Sequence, residues 1–128
     1  MSWQNYVDQQ LIGSGCVTKA IIAGHDGTLW AKSENIEYSK DEMVRLVTCF
    51  PSDKQIELAM TGVFCGGEKY IYLSGSDNVI RCKKGKQGFH AMKTKQAVLV
   101  AIFDEPIQHP QVASVVENLG EYLISQSY

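Results

Sequence analysis

Between residues 56 and 103 the chain presents short β-rich runs spaced too closely for anything but antiparallel neighbours. The runs 57–64, 70–74, 79–83, 89–93 and 97–103 are divided by Gly66-Gly67, by 75–78, by 85–88 and by Thr94-Lys95, all turn-forming stretches. A parallel pair needs a crossover of about a dozen residues or more, usually a helix. These gaps are far shorter, so the sequence predicts an antiparallel meander. Upstream, 18–23 and 29–32 read as two more strands joined by His25-Asp26-Gly27-Thr28.

Helical patterns flank the β-rich part. Ser2 is placed to cap a first helix carrying Trp3, Tyr6, Val7, Gln10 and Leu11 at roughly helical spacing, ended by Gly13-Ser14-Gly15. Ser39-Lys40-Asp41-Glu42 reads as a capping box, with Met43, Leu46, Val47 and Phe50 as an apolar stripe and Pro51 as the stop. Pro106 and Pro110 punctuate the exit from the last strand, and Pro110 suits the first turn of a terminal helix presenting Val112, Val115, Val116, Leu119 and Leu123. The fold class is α+β, with both terminal helices able to cover one face of the sheet. A chain of 128 residues with 45% hydrophobic residues supports one core rather than two, so 1–128 is expected to be a single domain.

Composition then removes several functions. A net charge of -2 and a pI near 5.9 give no reason to expect a nucleic-acid partner. The sequence contains no apolar run of the ~20 residues that a membrane helix needs, and MSWQNYVDQQ lacks the layout of a secretory signal, so a cytoplasmic location is expected. Cys16, Cys49, Cys65 and Cys82 form no CxxC pair, which points to free, mostly buried thiols rather than a zinc or redox site. His25, His90 and His109 occur singly, and HExxH, phosphate-loop and nucleophile-elbow motifs are missing. Gly13 and Gly15 end a helix rather than follow a strand, and His25-Asp26 suits a hairpin turn. The expectation is a protein without catalytic residues, metal site or cofactor.

Two patterns point to binding. Trp3 and Tyr6 lie one helical turn apart, so they either pack the first helix onto the core or present ring faces and N–H and O–H donors side by side. Arg81, Lys83, Lys84, Lys86, Lys93 and Lys95, half of the 12 basic residues, fall in one window that contains no acidic residue. That window makes either a positive surface for phosphates or an acidic partner, or a hairpin kept soluble by charge.

The segment Ser2 to Gly15, the following hairpin with its Asp-Gly turn and Trp30, GGEKY at 66–70, IRCKKG at 80–85 and VVENLGEYLISQSY at 115–128 together resemble the profilin family over the whole chain. The chain resembles the compact protist, fungal and plant-like members more than the longer vertebrate form. The resemblance implies a central antiparallel sheet with the terminal helices on one face and smaller helices on the other. It also implies a cytoplasmic, cytoskeleton-associated protein that binds actin monomers, proline-rich segments and anionic phosphoinositides.

By the same resemblance, Trp3, Tyr6, Trp30, Tyr122, Leu123 and Tyr128 would hold proline-rich ligands; Tyr122 stands where vertebrate members carry histidine. Lys69, Arg81, Lys83, Lys84, Gln111, Ser114 and Glu117 would face actin, and Arg81, Lys83, Lys84 and Lys86 would meet phosphoinositide headgroups. Two rivals remain at this point: a small enzyme or ligand-sensing α+β domain with a pocket on its sheet, and a phosphoinositide-binding module without actin activity.

Overall fold

The computed structural model describes residues 2–128. β1 (Lys19–Gly24) and β2 (Leu29–Lys32) form the first hairpin, and β3 (Val63–Cys65), β4 (Glu68–Gly75), β5 (Val79–Lys84), β6 (Gln87–Lys93) and β7 (Ala97–Asp104) form the meander. The order across the sheet is β2-β1-β7-β6-β5-β4-β3, and every pairing is antiparallel. β7 closes the meander onto the hairpin, with Ala101 opposite Ala20 and Leu99 opposite Ile22.

Central position explains why β7 is apolar without alternation, since both of its faces are covered. Val98, Val100 and Ile102 join Ile21, Phe89 and Ala91 in a core beneath α2 (Lys40–Thr48) and α3 (Gln55–Thr61). Leu99, Ala101 and Phe103 join Ile22 and Met92 in a second core beneath the amino-terminal helical segment and α4 (His109–Ser125). The expected placement of terminal helices on one face and smaller helices on the other is what the structure has.

The run 57–64, read above as one strand, is helical over 57–61 as most of α3, and only Val63 and Phe64 at its end are extended, as the first two of the three residues of β3. Glu57, Leu58, Ala59 and Met60 are strong helix formers, and a run this short fits either period. Tertiary bonds favour the helix. Buried Gln55 donates through Nε2 to the Phe50 carbonyl at 2.7 Å and accepts from the Tyr72 hydroxyl at 2.6 Å. Gly62, at φ +83°, then turns the chain into β3.

The first helix is also less regular than its spacing suggests. Ser2 Oγ accepts from the Asn5 amide at 3.2 Å, α1 (Trp3–Asn5) widens into a π-helical stretch (Tyr6–Leu11), and a 3-10 turn (Ile12–Ser14) follows. The wider turn buries Val7 and Leu11 and leaves Gln10 outside the core. In α4, Val112, Val116, Leu119 and Leu123 are buried while Val115 is half-buried. Gln111 Oε1 accepts from the Gln108 amide at 2.9 Å, tying down the start of that helix.

All four cysteines are unpaired, and Cys49, Cys65 and Cys82 are buried. Burial pushes the Cys65 and Cys82 thiols up to about 12, which keeps them protonated at neutral pH. Among the described residues there is no helix long and apolar enough to cross a membrane, and no group of three or more side chains able to hold a metal ion.

Candidate functional site

The two ends of the chain meet over β2. Trp3 lies with its ring centroid 4.6 Å from Trp30, 5.6 Å from Tyr6 and 5.0 Å from Tyr128, the last edge-on. Tyr6 in turn is 6.3 Å from Tyr122. Separations and tilts of this kind are those in which aromatic pairs attract through their quadrupoles. None of these five rings is fully buried, and Tyr122 and Tyr128 are 49% and 42% exposed. The cluster is therefore a surface with ring faces available, not only packing for the first helix.

Backbone bonds fix its members. Gln4 Nε2 donates to the Lys32 carbonyl at 2.9 Å, joining the first helix to β2. The Tyr128 amide donates to the Leu123 carbonyl at 2.8 Å, and its carbonyl accepts from Thr94 Oγ1 at 2.8 Å and from the Gln96 amide. A chain end held by three bonds presents its ring with little ordering cost. Burial, with the neighbouring Tyr122 phenol, raises the Tyr6 hydroxyl above the ordinary tyrosine value, so it stays a neutral donor. Leu123 is only 1% exposed and forms the floor beneath Trp3, Tyr6 and Tyr128.

The basic residues divide by strand alternation. Ile80 and Cys82 point into the core under α2 and α3, so Arg81 and Lys83 point to the face that carries α4. Lys69 and Ile71 of β4 share that face, Ile71 lying opposite Lys83. Lys84 points to the other face, where it forms an ion pair with Glu68. Lys86 occupies the turn between β5 and β6. The six-residue basic window is thus not one patch, and the acidic partner of Lys84 comes from a neighbouring strand.

Against the positive side of that surface stands the first half of α4 with Gln111, Ser114 and Glu117. Sequence reasoning missed the apolar part: Ile71 is 65% exposed and Leu73 50%, beside Lys69 and Lys83. Leu73, Lys83, Phe103, Gln108 and His109 line a shared hollow, which places the bulged end of β4 next to the start of α4. A basic rim around exposed aliphatic side chains suits a large, partly acidic protein surface.

The profilin family model matches residues 1–128. The chain belongs to the profilin family. It is 58% identical to the profilin of Bombyx mori over 128 residues, with all of both chains covered. Among solved structures, Acanthamoeba castellanii profilin II superposes with a TM-score of 0.93 at 37% identity, covering 99% of this chain and 100% of that one. Mouse profilin IIa, in complex with a double repeat from the FH1 domain of mDia1, has the same fold at a TM-score of 0.79 and 16% identity, with both chains covered completely. Profilins are actin-binding proteins.

In this profilin the α4 side of the sheet also holds a buried titratable group. His90 is fully buried in β6, with Nε2 3.2 Å from Glu117 Oε2 and Nδ1 without a partner among the described residues. Burial, helped by Arg81 across the β5–β6 pairing and by His109 of α4, lowers its pKa to about 4. The Glu117 carboxylate pulls the other way, but a ring cut off from water is harder to charge. The unfolded chain therefore binds more protons than the native one between the ordinary histidine value and pH 4. Stability contributed by His90 is present above that ordinary value and is lost as pH falls. Between pH 7 and pH 5 the loss should be about 2 kcal/mol, read from urea unfolding curves at the two pH values. His90→Asn should flatten that dependence; an equally steep profile in the variant would assign the effect elsewhere.

Proposed function

We propose that this profilin regulates filament assembly by holding an actin monomer on the surface made of Lys69, Arg81 and Lys83 with Gln111, Ser114 and Glu117. Ile71 and Leu73 supply the apolar contact there, and Lys84 stands only at its margin, since it turns to the opposite face and pairs with Glu68. Proline-rich segments bind in the groove of Trp3, Tyr6, Trp30, Tyr122 and Tyr128 over Leu123. The observation that carries this reading is the arrangement along α4: its early turns border the basic surface and its last turns border the aromatic groove, with no residue in common. Gln111 and Tyr122 are about 16 Å apart along the helix at 1.5 Å per residue. One molecule can then hold both partners at once.

A proline-rich segment arrives as a polyproline II helix with its rings exposed and its carbonyls free of internal hydrogen bonds. The groove answers with ring faces and with indole and phenol donors. The complex of mouse profilin IIa with a repeat from an FH1 domain supports the same class of ligand here. Arg81, Lys83 and Lys86 would attract anionic phosphoinositides, with Lys84 contributing less while Glu68 neutralises it. The protein works as one domain over 1–128, in the cytoplasm with the cytoskeleton, as a binding protein and not an enzyme.

Polymerisation of purified actin followed by a fluorescent reporter tests the assignment. The protein should lengthen the lag of spontaneous nucleation and permit elongation from added seeds. Because complementary charge mainly sets association rate, Lys69→Glu and Arg81→Glu should each slow complex formation by roughly tenfold at low salt. Retention on polyproline should survive in both variants, and sedimentation of Arg81→Glu with phosphoinositide vesicles should fall. A protein that neither binds monomers nor delays nucleation would end the actin assignment; normal association by both variants would move the surface elsewhere.

A further inference from the structure

We propose that the seam between the amino-terminal helical segment and α4 is a second subsite for proline-rich ligands, taking the residues that continue past the aromatic groove; this rests on the proline-binding reading above. Tyr6 and Tyr122 belong to two hollows at once. One is the aromatic hollow of about 170 Å³ with Trp3, Leu123, Gln126 and Tyr128. The other, of about 670 Å³, is lined by Tyr6, Gln10, Val115, Asn118, Leu119 and Tyr122. The larger part of the furrow therefore lies beyond the ring cluster and opens directly from it.

Its course suits an extended ligand. The two helical segments cross the sheet in opposite senses, so Tyr6 meets Tyr122 and, further along, Gln10 lies with Asn118 and Val115. On the α4 side, the four residues from Tyr122 back to Asn118 span about 6 Å at 1.5 Å per residue. A polyproline II helix covers that distance with about two residues at 3.1 Å each.

The chemistry is equally matched. Val115 and Leu119 give an apolar floor, none of the six lining residues is charged, and Gln10 and Asn118 stand exposed on the rims. Among the described residues neither of those amide side chains is hydrogen-bonded to another protein group, so both can donate to ligand carbonyls. A polyproline II segment offers the complement: apolar rings on one side and unpaired carbonyls on the other. A helical ligand, whose carbonyls are internally bonded, would leave the two amides unused.

The test compares a six-proline and a twelve-proline peptide by calorimetric titration against wild type and against Gln10→Ala with Asn118→Ala. Both positions are exposed, so the variant should fold. The double variant should bind the short peptide as wild type does and lose about fivefold in affinity for the long one, as expected for one or two hydrogen bonds. Unchanged affinity for the long peptide would overturn the inference. So would an equal loss for both peptides, which would mean that the pair acts only through Tyr6 and Tyr122. If wild type binds neither peptide, the aromatic groove itself is misassigned, and that failure is distinct from the others.

Discussion

Trp30→Ala is expected to lower affinity for a proline-rich peptide by about 3 kcal/mol, roughly a hundredfold, as loss of an aromatic hot spot does. Trp30 sits on β2, an outer strand of the sheet in which only Ala31 is buried, so the core does not depend on it. Its ring faces Trp3, and Trp3 also touches Tyr6 and Tyr128. Removing Trp30 takes away one wall, one indole donor and the support that sets the tilt of Trp3. Calorimetric titration and retention on polyproline resin would show the loss, while delay of actin nucleation should persist because Lys69 and Arg81 lie on the far side of α4. A folded variant that binds proline as wild type does would take Trp30 out of the site.

How much of this was legible in the sequence depends on what each feature needs. The strands from 70 to 103 and α2 and α4 could be read because their turns and apolar periods are local. The run 57–64 could not, because a short apolar stretch with good helix formers satisfies both periods until Gln55 finds Phe50 and Tyr72. The widening of the first helix, which turns Gln10 out towards the seam, has no composition signal either.

The binding surfaces divide in the same way. Trp3 and Tyr6 are neighbours by spacing alone, whereas Trp30 and Tyr128 joined them only through the resemblance to profilins, being distant in the chain. Exposed Ile71 and Leu73 escaped notice because β4 alternates them with Tyr70 and Tyr72, so both faces of the strand look apolar. The pairing of Lys84 with Glu68 depends on which face each side chain takes, which a window of consecutive residues does not reveal. Charge counted along the chain overstated the basic patch for that reason.

Gly88→Val is expected to be the most damaging single substitution, costing about 3–4 kcal/mol, at or above the upper end of ordinary overpacking. The sequence places Gly88 in a turn, but it lies in β6 directly beneath Phe103, where an added Cβ would stand 2.2 Å from Cζ and 2.5 and 2.7 Å from the two Cε atoms. Gly120 offers a useful contrast. A Cβ there would meet Met92 at 2.4 Å, but a thioether chain can swing aside, so Gly120→Ala should cost less. Phe103 has no such freedom, being 3% exposed and held edge-on against His109 at 4.8 Å. Because His109 begins α4, a displaced Phe103 would shift the turn that carries Gln111 and Ser114 and so weaken actin binding, while the aromatic groove at the other end of the helix should keep its affinity for proline. A double-mutant cycle between Gly88→Ala and Phe103→Leu, followed by urea unfolding, isolates the contact: the smaller side chain should recover about 1–2 kcal/mol of the loss. Strict additivity, or a Gly88→Val protein as stable as wild type, would show that the sheet relaxes around the ring.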